Sequence, residues 1–320
     1  MRRIASMALI GWVSAAGVLY SAPRTPHRIV ATTGMIADLA RQVGRDWVEV
    51  AQIVPAGGDP HSYTPTRRDV ARLIRADIII YNGLLLEGRM GDVLERMRQR
   101  GKPVYAVAQI IHANADFVLT DEDDAYDPHL WMDVQGWIRA LDVVRDALIE
   151  FDPDGAEPFT ANAADYRREL EALDAYVRSI VATIPESHRV LVTAHDAFSY
   201  FGRAYGVDVR GIQGLSTESE AGIQDIERLV RFLSESRIPA VFVETSVADK
   251  NVRALVEGVQ ARGGSIVIGG TLFSDAMGPA DTYEGTYIGM IDHNATTIVR
   301  ALGGQAPAGG MQGKLGHAGK

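Results

Sequence analysis

Two histidines, His61 and His129, each close an Asp-Pro-His tripeptide, at residues 59–61 and 127–129. Proline biases the residue before it away from helix, so both imidazoles project from irregular loops with a carboxylate two residues earlier. A third histidine, His195, stands just past the apolar run RVLVT and is followed by Asp196, while Asp275 lies in GGTLFSDAMG just past the run Ser265–Gly269. Three imidazoles and a carboxylate form a donor set suited to a first-row divalent cation. A ligating imidazole is commonly oriented by a carboxylate on its other ring nitrogen, a role open to Asp59, Asp127 or Asp133. The spacing alone is not a regular motif, and scattered surface histidines account for it equally well.

The remaining histidines sit in plainer settings. His27 stands beside the expected cleavage region of the N-terminal segment, His112 and His188 occupy polar connections, His317 lies in the C-terminal tail, and His293 reads as a structural residue of the last helix. Glu218 and Glu220 read as solvated or capping residues, and the acidic stretch Asp121–Asp124 as a solvated loop. Signatures of enzymatic chemistry are missing: there is no HExxH, GxSxG or GxxxxGK[ST], and no GxGxxG after a strand. A metal-dependent hydrolase would need a general base, and Asp196 is the one candidate near these residues.

The elements that must position the four residues alternate between strand and helix. Arg28–Thr32, Val48–Val54 and Asp77–Tyr81 read as strands separated by helical segments, and the pattern restarts at Arg189–Thr193. From Phe159 to Ile184, apolar residues recur at steps of three and four until Pro185, which predicts one long helix. RIVATTGMIADLARQVG before that helix is echoed by RVLVTAHDAFSYFGRAYG after it. The expected fold is α/β: two similar lobes, each a mostly parallel sheet flanked by helices, joined by one long connecting helix. The expected divisions are a signal peptide at 1–22, an N-terminal lobe at 23–158, the linking helix at 159–184, a C-terminal lobe at 185–303 and a disordered Gly-rich tail at 304–320. His61 and His129 precede the helix, and His195 and Asp275 follow it. All four fall at the C-terminal ends of strands or in loops leaving them, the edge where open α/β sheets bind ligands.

Composition narrows the setting. A net charge of −9 over 320 residues argues against nucleic acid or an anionic membrane as partner. The absence of cysteine removes disulfides, thiolate metal sites and lipid attachment through an N-terminal cysteine. Arg2 and Arg3, an uncharged run from Ile4 to Tyr20 and small residues near its end make a secretory signal. A monomer free in a periplasm is therefore expected.

The segments GGDPHSYTPTRRDVARLIRADIIIYNGLLLE, DPHLWMD, TAHDAFSYFGRAYG and GLSTESEAG, with FVETSVADKNVRALVEGVQARGGSIVIGGTLFSDAMG and EGTYIGMIDHN, resemble in their order the metal-specific solute-binding proteins of ABC importers, the TroA-like family. The resemblance runs from about Arg28 to Leu302. It implies two lobes with a metal ion between them, delivery of that ion to a membrane permease, and no catalysis. Position by position it matches His61, His129, His195 and Asp275 to the family's ligands. Two departures bear on the metal. Ile111–Tyr126 holds one histidine, His112, where zinc importers often carry a histidine-rich loop. His195 stands where strongly manganese-selective members often have glutamate. The expected cargo is manganese or zinc, with iron behind. A secreted metal-dependent hydrolase is the rival, and an adhesin-like surface role a third reading.

Overall fold

The computed structural model describes residues 25–121 and 123–316; the expected signal peptide and His317 lie outside the described residues. In chain order the elements are β1 His27–Ala31, α1 Gly34–Gly44, β2 Val48–Gln52, α2 Arg67–Arg75, β3 Ile78–Tyr81, α3 Gly91–Gln99, β4 Val104–Ala106, α4 Val107–Asn114, α5 Val134–Phe151 and α6 Ala156–Val181. Then follow β5 Val190–His195, α7 Ser199–Tyr205, β6 Asp208–Gln213, α8 Ile223–Ser236, β7 Ala240–Glu244, α9 Lys250–Ala261, β8 Val267–Leu272 and α10 Tyr287–Ala301.

The first four strands form one parallel sheet in the order β2-β1-β3-β4, with Ile29 opposite Ile78 and Val30 opposite Ile79. Alternate residues of a strand face opposite sides, and here both sides are covered. Ile29, Ile78 and Ile80 join the main core with α1 and α5, whereas Val30 and Ile79 pack with Leu73 of α2 and Leu94 and Met97 of α3. After α6 the strands pair in parallel as β5-β6 and β7-β8, and β5 lies alongside β7. Both lobes thus present the C-terminal ends of parallel strands toward each other; His61, His195 and Asp275 lie at or beyond such ends, whereas His129, against expectation, follows helix α4 rather than a strand.

The helix α6 has 26 residues, about 39 Å at 1.5 Å per residue. It starts at Ala156, three residues before the expected start, because Pro158 falls in the first turn, where a missing N–H has no intrahelical acceptor to lose. It stops at Val181, and Ile184 closes a short turn before Pro185. Its buried face of Phe159, Tyr166, Leu170, Leu173 and Val177 packs on α1 and α5 of the first lobe and on α10 of the second. Tyr166 donates to Asp38 of α1 at 2.6 Å, which adds a polar fix to this seam. Among the described residues no helix is long and apolar enough to cross a membrane.

The tail departs from expectation. Residues 304–316 form turns rather than disordered chain: Met311 N–H donates to both oxygens of the buried Asp292, and Leu315 is buried. At Gly310, with φ +70°, a Cβ would lie 2.4 Å from an Asp292 oxygen, so glycine is what lets the chain approach this acceptor. A composition that reads as flexible is here turn chemistry folded onto a fixed carboxylate.

Candidate metal centre

The loop from β2 to α2 carries His61. Asp59 Oδ1 accepts the His61 backbone N–H at 2.9 Å, and its other oxygen accepts Ser62 Oγ at 2.6 Å and Thr217 Oγ, from the opposite lobe, at 2.7 Å. A carboxylate two residues back thus shapes the turn that aims the imidazole. In the second Asp-Pro-His the carboxylate goes further: Asp127 Oδ1 accepts both the backbone N–H of His129 at 2.9 Å and its ring Nδ1 at 2.7 Å. His195 is the last residue of β5, and Glu244, the last of β7, accepts its Nδ1 at 2.5 Å and its backbone N–H at 2.9 Å. With Nδ1 facing a carboxylate, Nε2 is the ring nitrogen of His129 and His195 that is turned toward a ligand once it is deprotonated. Asp275 leaves β8 in a turn whose Phe273 is gripped on both sides by Asn294 of α10, at 2.9 and 2.6 Å.

These loops bring all four predicted residues together, with candidate ligand atoms all within 4.8 Å of one another. Nε2 of His61 lies 3.4 Å from Nε2 of His129 and 3.8 Å from Asp275 Oδ2. Asp275 Oδ1 lies 3.4 Å from His129 Nε2, and Oδ2 lies 3.1 Å from His195 Nε2. Four donors about 2.0–2.1 Å from a central ion in a tetrahedron stand about 3.3–3.4 Å apart, so the space has the size of a first-row cation. All four side chains are buried. His195 Nε2 and both Asp275 oxygens are buried without a hydrogen-bond partner. Orphaned polar atoms of this kind cost free energy in a folded chain and mark a group built for a ligand.

The same crowding sorts the titrations of the metal-free protein. Burial, together with the neighbouring His129 and His195, lowers His61 to about 4, against the opposing pull of Asp275. Burial also disfavours the charged form of His129, but Asp127 and Asp275 outweigh it and raise the ring to about 9. For His195 burial is again outweighed, here by Glu244 and Asp275, and its pKa is raised well above that of a free imidazole. Asp275 is held well below the carboxylate range, its own burial overcome by His195 and His129. The metal-free centre therefore pairs an anionic aspartate with two imidazolium rings.

Of the carboxylates suggested as orienters, Asp127 bonds an imidazole ring, whereas Asp59 holds the His61 backbone and two hydroxyls and not the His61 ring. Asp133 instead caps α5 through the Gln135 N–H at 2.9 Å. Asp196, the candidate base, accepts Ser199 Oγ at 2.7 Å. Glu244 was missed; its signal was a carboxylate ending the apolar strand AVFVE at the sheet edge where His195 also ends a strand. Glu218 and Glu220 pair with Arg89 and Lys250, and His293 meets the Thr271 carbonyl at 2.9 Å. Exchanging Glu244→Gln puts an amide NH₂ against one of two N–H donors and removes the charge behind His195. A competition titration is expected to show metal affinity about 10–100-fold lower; unchanged affinity would exclude Glu244 from the centre's support.

A two-lobed, metal-binding solute-binding protein of an ABC importer is the class that this fold and pocket define. The chain matches the family described as ZnuA, "Zinc-uptake complex component A periplasmic", over residues 29–301, and belongs to it. It is 45% identical over 275 residues to the manganese-binding lipoprotein MntA of Bacillus subtilis, covering 86% of this chain and 89% of that one. It is also 45% identical over 294 residues to the zinc-binding protein TroA of Treponema pallidum, covering 92% and 94%. The solved structure of the Treponema protein superposes with a TM-score of 0.84, covering 87% of this chain and 99% of that one. The family is one of transporter binding proteins rather than enzymes, and the hydrolase reading finds no support among these relatives.

Proposed function

We propose that His61, His129, His195 and Asp275 ligate the transported ion, that the ion is manganese or zinc with iron behind, and that the protein hands it on as a monomer with no nucleic-acid partner. The observation that carries this reading is the buried carboxylate whose two unpartnered oxygens face three imidazoles at tetrahedral spacing. The lobes 23–158 and 185–303, linked through 159–184, serve as the two jaws. The printed names of two relatives at the same identity speak for manganese in one and zinc in the other, so kinship favours neither metal. Intrinsic affinity ranks zinc above manganese at a nitrogen-rich centre, which leaves supply in the compartment to decide. Periplasmic residence fits the 320 residues, which hold no cysteine to carry a lipid.

Elemental analysis of protein taken from its native compartment tests the assignment: one equivalent of manganese or zinc supports it, and protein free of transition metal contradicts it. The role of position 195 has its own test. His195→Glu exchanges a nitrogen donor for a harder oxygen and sets a second carboxylate beside Glu244. Zinc affinity is expected to fall by a larger factor than manganese affinity. Equal losses in parallel titrations with the two metals would show that position 195 does not set the preference.

A further inference from the structure

Asp275 presents a problem of placement. Its two oxygens face the rings of His129 and His195 at 3.4 and 3.1 Å and have no hydrogen-bond partner, so no backbone group or neutral side chain bonded to the carboxylate fixes where it points. What is fixed is the backbone on its N-terminal side. Asn294 grips Phe273 from within the second lobe. The next carbonyl, that of the fully buried Ser274, accepts the indole Nε1–H of Trp131 at 2.9 Å. Trp131 belongs to the first lobe, two residues beyond His129 in the turn Leu130–Met132, and its ring meets the His129 ring edge-on at 5.2 Å. Its own carbonyl accepts the Tyr287 hydroxyl, from the start of α10, at 2.8 Å.

Building on the four-ligand reading, we propose that Trp131 is a positioning residue for metal capture: its indole N–H ties the turn that bears Asp275 to the loop that bears His129, and so sets the spacing of ligands drawn from opposite lobes. Trp131 is fully buried and touches no ion; it acts by holding two backbones in register. Tyr287 secures the same residue from the other side, so the His129 loop and the second lobe are stitched twice within a few residues. The arrangement sets the 3.4 Å gap between His129 Nε2 and Asp275 Oδ1. Loss of the stitch lets that gap fluctuate, and the cost falls on holding the ion rather than on meeting it.

The experiment compares wild type, Trp131→Phe and Asp275→Asn as full chains, using Zn²⁺, Mn²⁺ and Co²⁺ salts as probes. The readouts are dissociation constants, metal dissociation rates, the Co²⁺ visible spectrum as a report of coordination geometry, and a melt of the metal-free protein. Phenylalanine keeps an aromatic ring and removes only the donor side of the indole. The expected result for Trp131→Phe is an affinity about 10–100-fold lower, carried by faster dissociation, with an altered Co²⁺ spectrum. Wild-type affinity and spectrum in Trp131→Phe would overturn the inference. So would an affinity loss that tracks a loss of metal-free stability while the spectrum stays unchanged, because that is the behaviour of a packing residue. If Trp131→Phe does not fold, Tyr287→Phe, which removes the second stitch, is expected to shift affinity and spectrum in the same direction, and wild-type values there would overturn it. Failure of the four-ligand reading looks different: Asp275→Asn would then bind metal as wild type does.

Discussion

Lowering the pH from 7.5 to 5.5 is expected to weaken metal binding by up to about 10⁴-fold, because two protons compete for each ion. In the metal-free protein Asp127 and Asp275 raise His129 to about 9, and Glu244 and Asp275 raise His195 well above the free imidazole value, so both rings favour a proton on the nitrogen the metal needs as the pH falls across this window. His61, lowered to about 4, is already neutral and adds no further competition until the pH approaches that value. The sign follows directly. Raised pKa values favour the protonated, metal-free centre at lower pH, and affinity climbs with pH until the range of about 9 is passed. Three unperturbed histidines would behave otherwise, with no loss above about 6.5 and up to three protons released below it. Titration calorimetry in buffers of different ionisation enthalpy should count about two protons released per ion at neutral pH, and dissociation constants should change about 100-fold per pH unit. A flat affinity over the window, or release of less than one proton, would contradict the buried imidazolium pair.

Asp275→Asn is expected to remove most of the stabilisation that metal confers. An ion present at about a thousand times its dissociation constant adds about 4 kcal/mol to a fold whose unfolded chain does not bind it. The asparagine keeps the shape but loses the charge that faces three imidazoles, leaving a neutral oxygen as the fourth donor. The metal-free protein changes as well. A loop aspartate reads from the sequence as solvated and dispensable in the absence of metal, but Asp275 is 1% exposed and is the anion between two imidazolium rings. Without it those rings repel each other in a buried space, so their protons leave at lower pH and the metal-free melting temperature falls. Melts of wild type and variant, each with and without metal, separate the two effects. A variant that keeps its full metal-dependent shift would remove Asp275 from the centre.

The four candidate ligands were legible because each follows a strand or a proline-fixed loop, and parallel strands deliver their C-terminal ends to one edge. The long helix was legible from its periodicity, and its partition of the four residues foretold a centre shared between lobes. Contacts set by the three-dimensional path were not legible. Glu244 reaches His195 from 49 residues away, and Thr217 reaches Asp59 from 158 residues away. No local spacing encodes either, since both depend on which strands and loops become neighbours. Residues 304–316 misled for the opposite reason: glycine-rich composition is shared by disordered chain and tight turns, and only the buried Asp292 decides between them. The titrations were hidden too, because His61 and His129 share the same tripeptide and differ only in what surrounds them.

The proposed ligand set places one transition-metal ion among His61, His129, His195 and Asp275, and anomalous diffraction from a crystal of metal-loaded protein would locate it. Data collected on either side of the metal's absorption edge should show a single strong peak about 2.0–2.2 Å from Nε2 of each histidine and from an Asp275 oxygen, buried between the lobes. A peak elsewhere, such as over the acidic stretch Asp121–Asp124, with none among these four residues, would contradict it.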